Sequence, residues 1–190
     1  MKKLLLLLCF VFIHQVVYPV YFKHLGMSDG LSQVSVMSIY QDCLGRMWFG
    51  TREGVSIYDG ERMRVYKGWE NLDPESSINV LLGHECDHLT GNRQGDIFFR
   101  TCDSLVRYDI REEKFCVVSG CKAKTITSAD GDIWTGYDGM ICRYDEKGDS
   151  LLLYTEEDIP DISSLLVSGN KIWVGTYEGL SLIHISEPTR

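Results

Sequence analysis

Between Val36 and Leu180 the chain alternates short apolar runs with breaks rich in glycine and aspartate. Val36 to Tyr40 reads as a strand, Gly45 as a turn, and Arg46 to Thr51 as the next strand. A turn at Arg52-Glu53-Gly54 leads into Val55 to Tyr58, and Asp59-Gly60 predicts a two-residue turn before Met63-Arg64-Val65-Tyr66. The result is four short antiparallel strands in roughly 35 residues, with no helical periodicity to compete.

The same unit recurs. Four windows align on a large aromatic: Met47-Trp48-Phe49-Gly50-Thr51, Ile97-Phe98-Phe99-Arg100-Thr101, Ile133-Trp134-Thr135-Gly136-Tyr137 and Ile172-Trp173-Val174-Gly175-Thr176. Three residues before each aromatic stand Gly45, Gly95, Gly131 and Asn170, residue types that tolerate the left-handed backbone of a hairpin turn. Ten residues after the first three aromatics come Tyr58-Asp59, Tyr108-Asp109 and Tyr144-Asp145. Four-stranded units repeating every ~40 to 50 residues are the signature of an all-β fold, the β-propeller, and the period excludes leucine-rich and helical repeats. Closure takes at least four blades, and the chain supplies three and part of a fourth, an incomplete propeller with an unpaired edge that favours association. A tryptophan recurring at one blade position suits either a sugar-stacking pocket or the packing of one blade on the next, and packing is the expected role. The Tyr-Asp pairs read as strand ends and their turns rather than acid catalysts.

Composition narrows the class. The chain of 190 residues is 44% hydrophobic and 24% charged, an ordinary globular balance that excludes disorder. A formal net charge of −8 without a cluster of Lys and Arg excludes nucleic acid as a partner. Met1-Lys2-Lys3 followed by apolar Leu4 to Ile13 has the length of a signal peptide and is too short to span a bilayer. Residues 1–21 are therefore expected to be a signal peptide or, since no small-x-small cleavage site is visible, an N-terminal anchor. Export leaves Cys43, Cys86, Cys102, Cys116, Cys121 and Cys142. Their irregular spacing points to mostly free, buried thiols with at most one or two bridges.

Candidate chemistry is sparse. His84-Glu85-Cys86-Asp87-His88 satisfies the H-E-x-x-H pattern of zinc peptidases. That chemistry needs a continuous helix, whereas Gly83 and Gly91 flank the motif and the repeat alignment puts His88 opposite Ser38, in a strand. On a strand, residues four apart sit about 13 Å apart, too far to share an ion. No phosphate-binding G-x-x-x-x-G-K-[ST] loop and no G-x-S-x-G elbow occurs, and Glu156-Glu157-Asp158 reads as a solvated loop before Pro160. No catalytic residue, metal ligand or cofactor is expected. Ligand-contact candidates are Arg52, Glu53, Trp69, Tyr177 and Glu178, which a four-strand meander brings to one rim, where charges and aromatics suit sugar recognition.

Phe22-Lys23-His24-Leu25, Ser28-Asp29-Gly30-Leu31-Ser32, Met47-Trp48-Phe49-Gly50-Thr51, Gly54-Val55 and Tyr58-Asp59-Gly60 together resemble the start of two-component regulator propellers, specifically the periplasmic sensor of hybrid two-component systems. Asp73-Pro74-Glu75-Ser76-Ser77-Ile78-Asn79 resembles the link between blades there, and the likeness runs over residues 22–180. Arg100 and Ser104 depart from glycines of that pattern, and Gly139 comes one place early. The resemblance implies two propellers, a small β-domain, a transmembrane helix, a histidine kinase, a receiver and a helix-turn-helix output in a homodimeric receptor. It further implies an oligosaccharide or other small periplasmic ligand, with the remaining blades of the same chain as partners, and no catalysis by this portion. A carbohydrate-active propeller enzyme (a lyase or glycosidase) and a structural repeat protein are the alternatives. Residues 181–190, Ser-Leu-Ile-His-Ile-Ser-Glu-Pro-Thr-Arg, lack the expected Tyr-Asp and resemble translated sequencing adapter, a non-native tail.

Overall fold

A computed structural model describes residues 21–67, 85–102, 104–145, 150–155 and 161–184. Fifteen strands lie among these residues, in four antiparallel sheets whose neighbours follow chain order. Blade 1 holds β1 (Val36–Gln41), β2 (Met47–Thr51), β3 (Gly54–Tyr58) and β4 (Met63–Tyr66). Blade 2 holds β5 (Cys86–Gly91), β6 (Ile97–Thr101), β7 (Ser104–Asp109) and β8 (Lys114–Lys122). Blade 3 holds β9 (Thr125–Ala129), β10 (Asp132–Tyr137), β11 (Met140–Tyr144) and β12 (Ser150–Thr155), and blade 4 holds β13 (Ile162–Ser168), β14 (Lys171–Thr176) and β15 (Leu180–His184). The first strand of each blade packs against the first strand of the next, so β1, β5, β9 and β13 surround a common axis. This is propeller architecture.

The repeat aligns because each aromatic occupies the same place in its blade. Trp48 pairs with Ile57, Phe98 with Arg107, Trp134 with Arg143 and Trp173 with Leu182, the same register each time. Trp48, Phe98 and Trp134 are each buried in a seam between consecutive blades. The first seam sets Trp48, Val55 and Ile57 against Leu89, Ile97, Phe99 and Tyr108, with Trp48 and Tyr108 edge to face at 4.9 Å. The second sets Phe98 and Leu105 against Ile126, Ile133 and Tyr144, and the third sets Trp134 and Ile141 against Ile162, Ile172 and Val174. A buried aromatic of this size contributes on the order of 2–3 kcal/mol by desolvation, so the tryptophans act as the packing elements expected of them.

Two residues before and after Trp48 explain the rest of the rhythm. Gly50 follows it by two, where an added Cβ would lie 2.3 Å from the Cys86 carbonyl oxygen of blade 2. Close approach of the next blade therefore demands glycine there. Asp42, six before Trp48, caps its own turn, accepting from the Leu44 and Arg46 amides at 3.0 and 2.9 Å. Its second oxygen accepts from Arg46 Nε at 2.6 Å and from the Trp48 indole at 2.8 Å. Burial pushes the Asp42 carboxyl up, but the bonds from Trp48 and Arg46 and the guanidinium charge outweigh it and hold the group below the usual carboxylate range. Asn92 caps the corresponding turn of blade 2, accepting from Gln94 and Asp96.

The structure amends three local expectations. The turn after Tyr58 spans four residues, 59–62, rather than two, because Asp59 Oδ1 accepts from both Glu61 and Arg62 and Gly60 takes φ 104°. In blade 4 the left-handed residue of the first turn is Gly169 (φ 57°), not Asn170, since the hairpin closes on the pair Ser168 and Lys171. Cys86 is buried, but Cys43, Cys102 and Cys116 are exposed, the first two in turns and the third on an outer strand; no disulfide joins these or Cys142. Residues 1–20, the linker at Asp73 to Asn79 and residues 185–190 lie outside the described residues, while 181–184 pair with β14 through β15.

Candidate functional site

A meander of four strands sends its second turn and its exit to one rim, and the first and third turns to the other. Arg52 and Glu53 form the two-residue turn between β2 and β3, and Tyr177 and Glu178 the equivalent turn between β14 and β15. Local chemistry shapes both. Thr51 Oγ1 accepts from the Glu53 amide at 3.1 Å and donates to the Gly54 carbonyl at 3.0 Å. Thr176 Oγ1 accepts from Glu178 and Gly179 and reaches the Gly179 carbonyl at 3.1 Å. A threonine hydroxyl that closes its own turn leaves the two central side chains pointing to solvent. Arg52 and Glu178 are exposed, Tyr177 is 85% exposed, and Glu53 lies 3.6 Å from Lys67 Nζ. Blades 2 and 3 stand between the two turns, so the structure puts these four candidates on one rim without drawing them into one pocket. Trp69 lies outside the described residues.

On the same rim, blade 2 holds a cluster that the strand pattern did not single out. Asp87 on β5 pairs across the ladder with Arg100 on β6. Arg100 Nε donates to Asp87 Oδ1 at 2.8 Å, Nη2 donates to Oδ2, and His88 Nδ1 lies 2.9 Å from Oδ1. Burial raises the Asp87 carboxyl, and the bonds from His88 and Arg100 more than reverse this, leaving it below its ordinary range. The sequence signal was Arg100 itself, at the position where blades 1, 3 and 4 carry Gly50, Gly136 and Gly175. At Gly50, Gly136 and Gly175 an added Cβ would meet a neighbouring atom at 2.3, 2.7 and 2.2 Å, whereas blade 2 carries a guanidinium at this position, with Asp87 as its counter-charge.

The H-E-x-x-H string resolves in the strand direction. Cys86, Asp87 and His88 belong to β5, His88 sits in a bulge at φ 52°, and Glu85 precedes the strand; His84 lies outside the described residues. Asp87 is committed to Arg100. Among the described residues no group of three or more His, Cys, Asp and Glu side chains is placed to hold a metal ion. Of the Tyr-Asp aspartates, Asp59 and Asp109 cap turns, Asp109 accepting from Arg111 and Glu112 at 2.9 and 3.0 Å.

No family model matches the chain. It is 41% identical over 59 residues to "Histidine kinase P4" of Formosa agariphila, a match covering 31% of this chain and 4% of that protein. Its fold is similar to the extracellular domain of the hybrid two-component system BT3049 from B. thetaiotaomicron, with a TM-score of 0.73 and 24% identity, over 89% of this chain and 26% of that one. It is also similar to virginiamycin B lyase from Staphylococcus aureus, at TM-score 0.54 and 17% identity, over 84% of this chain and 58% of that one. The chain thus spans about a quarter of the extracellular domain it matches and a small fraction of the kinase. Its four described sheets are successive blades of a β-propeller, built as in the extracellular domain of a hybrid two-component system.

Proposed function

We propose that this chain is a ligand-sensing, extracytoplasmic propeller segment of a two-component receptor, controlling a kinase that lies elsewhere in the protein. One observation carries the reading: a propeller likeness over 89% of the chain to a hybrid two-component extracellular domain coincides with 41% identity to a stretch of a histidine kinase. Two independent comparisons, one of shape and one of sequence, meet on the same class of receptor. The apolar run Leu4 to Ile13 supports export, and the periplasm is the compartment in which such a segment would meet its ligand.

The ligand we assign is a glycan fragment, bound on the rim that carries Arg52, Glu53, Tyr177 and Glu178. An exposed tyrosine and opposed charges in solvent-facing turns suit a hydroxyl-rich molecule. We read the segment as non-catalytic: Asp59 and Asp109 are taken up in turns, and the His88–Asp87 contact is shared with Arg100. The receptor's dimerisation and its further blades belong to the same proposal.

The experiment is to extend the reading frame from independent DNA and assay the product. A transmembrane helix followed by histidine-kinase sequence, with phosphorylation that responds to an added oligosaccharide, supports the reading. A frame that encodes a propeller and no kinase overturns it.

A further inference from the structure

The first turns of the blades form the rim opposite the one just described, and they pack in sequence until the last seam. At the first seam, the turn of blade 2 rests on that of blade 1: a Cβ on Gly95 would lie 2.8 Å from Cys43 Sγ. At the second, blade 3's turn rests on Arg93 of blade 2, where a Cβ on Gly131 would lie 2.8 Å from Arg93 Cβ. Arg93 also fastens that turn, its amide donating to the Gly131 carbonyl at 3.1 Å and its Nη2 to the Asp130 carbonyl at 2.7 Å. At the third seam blade 4 presents the turn Gly169-Asn170, and a Cβ on Gly169 would meet nothing within 4 Å among the described residues.

Two differences leave that gap. The first turns of blades 3 and 4 are tight two-residue hairpins, Asp130-Gly131 and Gly169-Asn170, where blades 1 and 2 carry longer turns capped by Asp42 and Asn92. Arg93 holds the blade 3 turn toward blade 2. A cleft of about 300 Å³ opens between blades 3 and 4, lined by Asp132, Trp134, Arg143, Val167 and Asn170 with the turn backbones. That is the lower end of the size range for small-ligand sites, enough for about one sugar ring.

One buried, unpartnered donor stands beside the cleft. Trp134 is 4% exposed, and its indole N–H has no acceptor among the described residues, whereas the equivalent Trp48 donates to Asp42 at 2.8 Å. Six residues before Trp134 stands Ser128, whose hydroxyl is engaged with Thr90 Oγ1 at 2.9 Å. A buried donor without a partner is costly to leave unmade, and an acceptor in the adjoining cleft is the partner it lacks. Arg143 lies over the Trp134 ring at 5.7 Å, much as Arg46 lies over Trp48 at 5.8 Å, and its Nε donates to Asp132 Oδ2 at 2.7 Å. Asp132 and Arg143 offset each other, Asn170 offers both a donor and an acceptor, and Val167 gives an apolar wall. Mixed donors and acceptors without excess positive charge fit hydroxyls better than a carboxylate.

We propose that the cleft between the first turns of blades 3 and 4 binds one ring of a neutral sugar, with Trp134, Arg143, Asp132 and Asn170 as its polar contacts. The proposal rests on the sensor reading for the class of ligand and adds a second subsite, across the blades from the Arg52 rim.

Saturation-transfer NMR on the 190-residue chain tests it. The probes are D-glucose, D-galactose, D-xylose and N-acetyl-D-glucosamine, with D-glucuronate and D-glucosamine as charged comparisons. At least one neutral sugar is expected to saturate. Trp134→Phe, which keeps a ring and removes the N–H, and Asn170→Ala, at an exposed turn, should each weaken it at least threefold. Arg52→Ala and Tyr177→Ala should leave that binding unchanged. Absence of saturation by every neutral sugar, preference for a charged one, or binding that survives both cleft variants would overturn the assignment. Loss confined to Arg52→Ala and Tyr177→Ala would overturn the cleft while supporting the other rim, and the gene sequence decides the receptor reading independently of either.

Discussion

Asp42 is the residue whose removal the structure makes most expensive. Its carboxylate is buried and answers four donors at once: two backbone amides, Arg46 Nε and the Trp48 indole. Asp42→Ala leaves the buried Arg46 guanidinium without its counter-charge, a loss that costs about 3–5 kcal/mol in comparable buried pairs. It also strands the indole N–H inside the first seam, for about 1–3 kcal/mol more if the two effects were independent. They share one oxygen, so we expect a total near the upper end of the first range, about 5 kcal/mol. For a chain of this size that is about 10–20 °C in Tm. The assay is thermal and urea unfolding followed by near-UV circular dichroism at pH 7, with Asp42→Asn as the variant that keeps an acceptor but loses the charge. Asn should recover roughly half of the loss, since neutral hydrogen bonds are about half as strong as charge-assisted ones. Trp48→Phe removes the indole donor together with part of the seam packing, which the double-variant cycle separates, and the cycle should show a coupling of about 1 kcal/mol or more. The folded carboxyl is held below its unfolded value, so this contribution is present above about pH 4 and is lost as pH falls through the folded value. A melting point for Asp42→Ala within about 1 °C of the parent, or strict additivity with Trp48→Phe, would refute the reasoning.

Gly50→Ala should destabilise by about 2 kcal/mol or more, because its Cβ meets the Cys86 carbonyl oxygen at 2.3 Å, whereas Gly45→Ala, with open space and φ 80°, should cost about 1–2 kcal/mol. Urea titrations that rank the two the other way would count against the packed seam. Thiol labelling with a maleimide at pH 7.5 should modify exposed Cys43 and Cys102 in minutes and leave Cys86 untouched until the fold opens, since burial pushes the Cys86 thiol up to about 12. Rapid native labelling of Cys86, read by peptide mass, would contradict its place in the first seam. Purified protein should carry no stoichiometric zinc on Cys86-Asp87-His88, because β5 spreads these residues along a strand; metal analysis at one ion per chain would overturn that geometry.

The strands of blade 1 were legible to within a residue because the alternation of apolar positions and the turn glycines point the same way. Trp48, Phe98 and Trp134 announced the seams through spacing alone, since only a repeated packing environment keeps a large aromatic at a fixed distance from a turn glycine. Turn length was less legible. Asp59-Gly60 looked like a two-residue turn, but Asp59 accepts from two successive amides and draws Glu61 and Arg62 into the loop. The cleft at the third seam was not legible at all. It depends on Arg93 reaching a carbonyl 37 positions away and on two hairpins being shorter than their counterparts, relations between blades that no single window of sequence contains. The Asp87–Arg100 pair lay between these cases: the break from glycine was visible, and the partner was not.

The ladder bonds of this molecule run within blades, while apolar faces and a few hydrogen bonds such as Arg93 to Asp130 cross between them. Mechanically this makes a set of stiff plates joined along compliant lines. Four strands about 4.8 Å apart give each plate a width of about 14 Å from axis to perimeter. A wedge that rotates one plate by about 4° therefore moves its outer strand by about 1 Å, a displacement large enough to be felt by whatever is attached there.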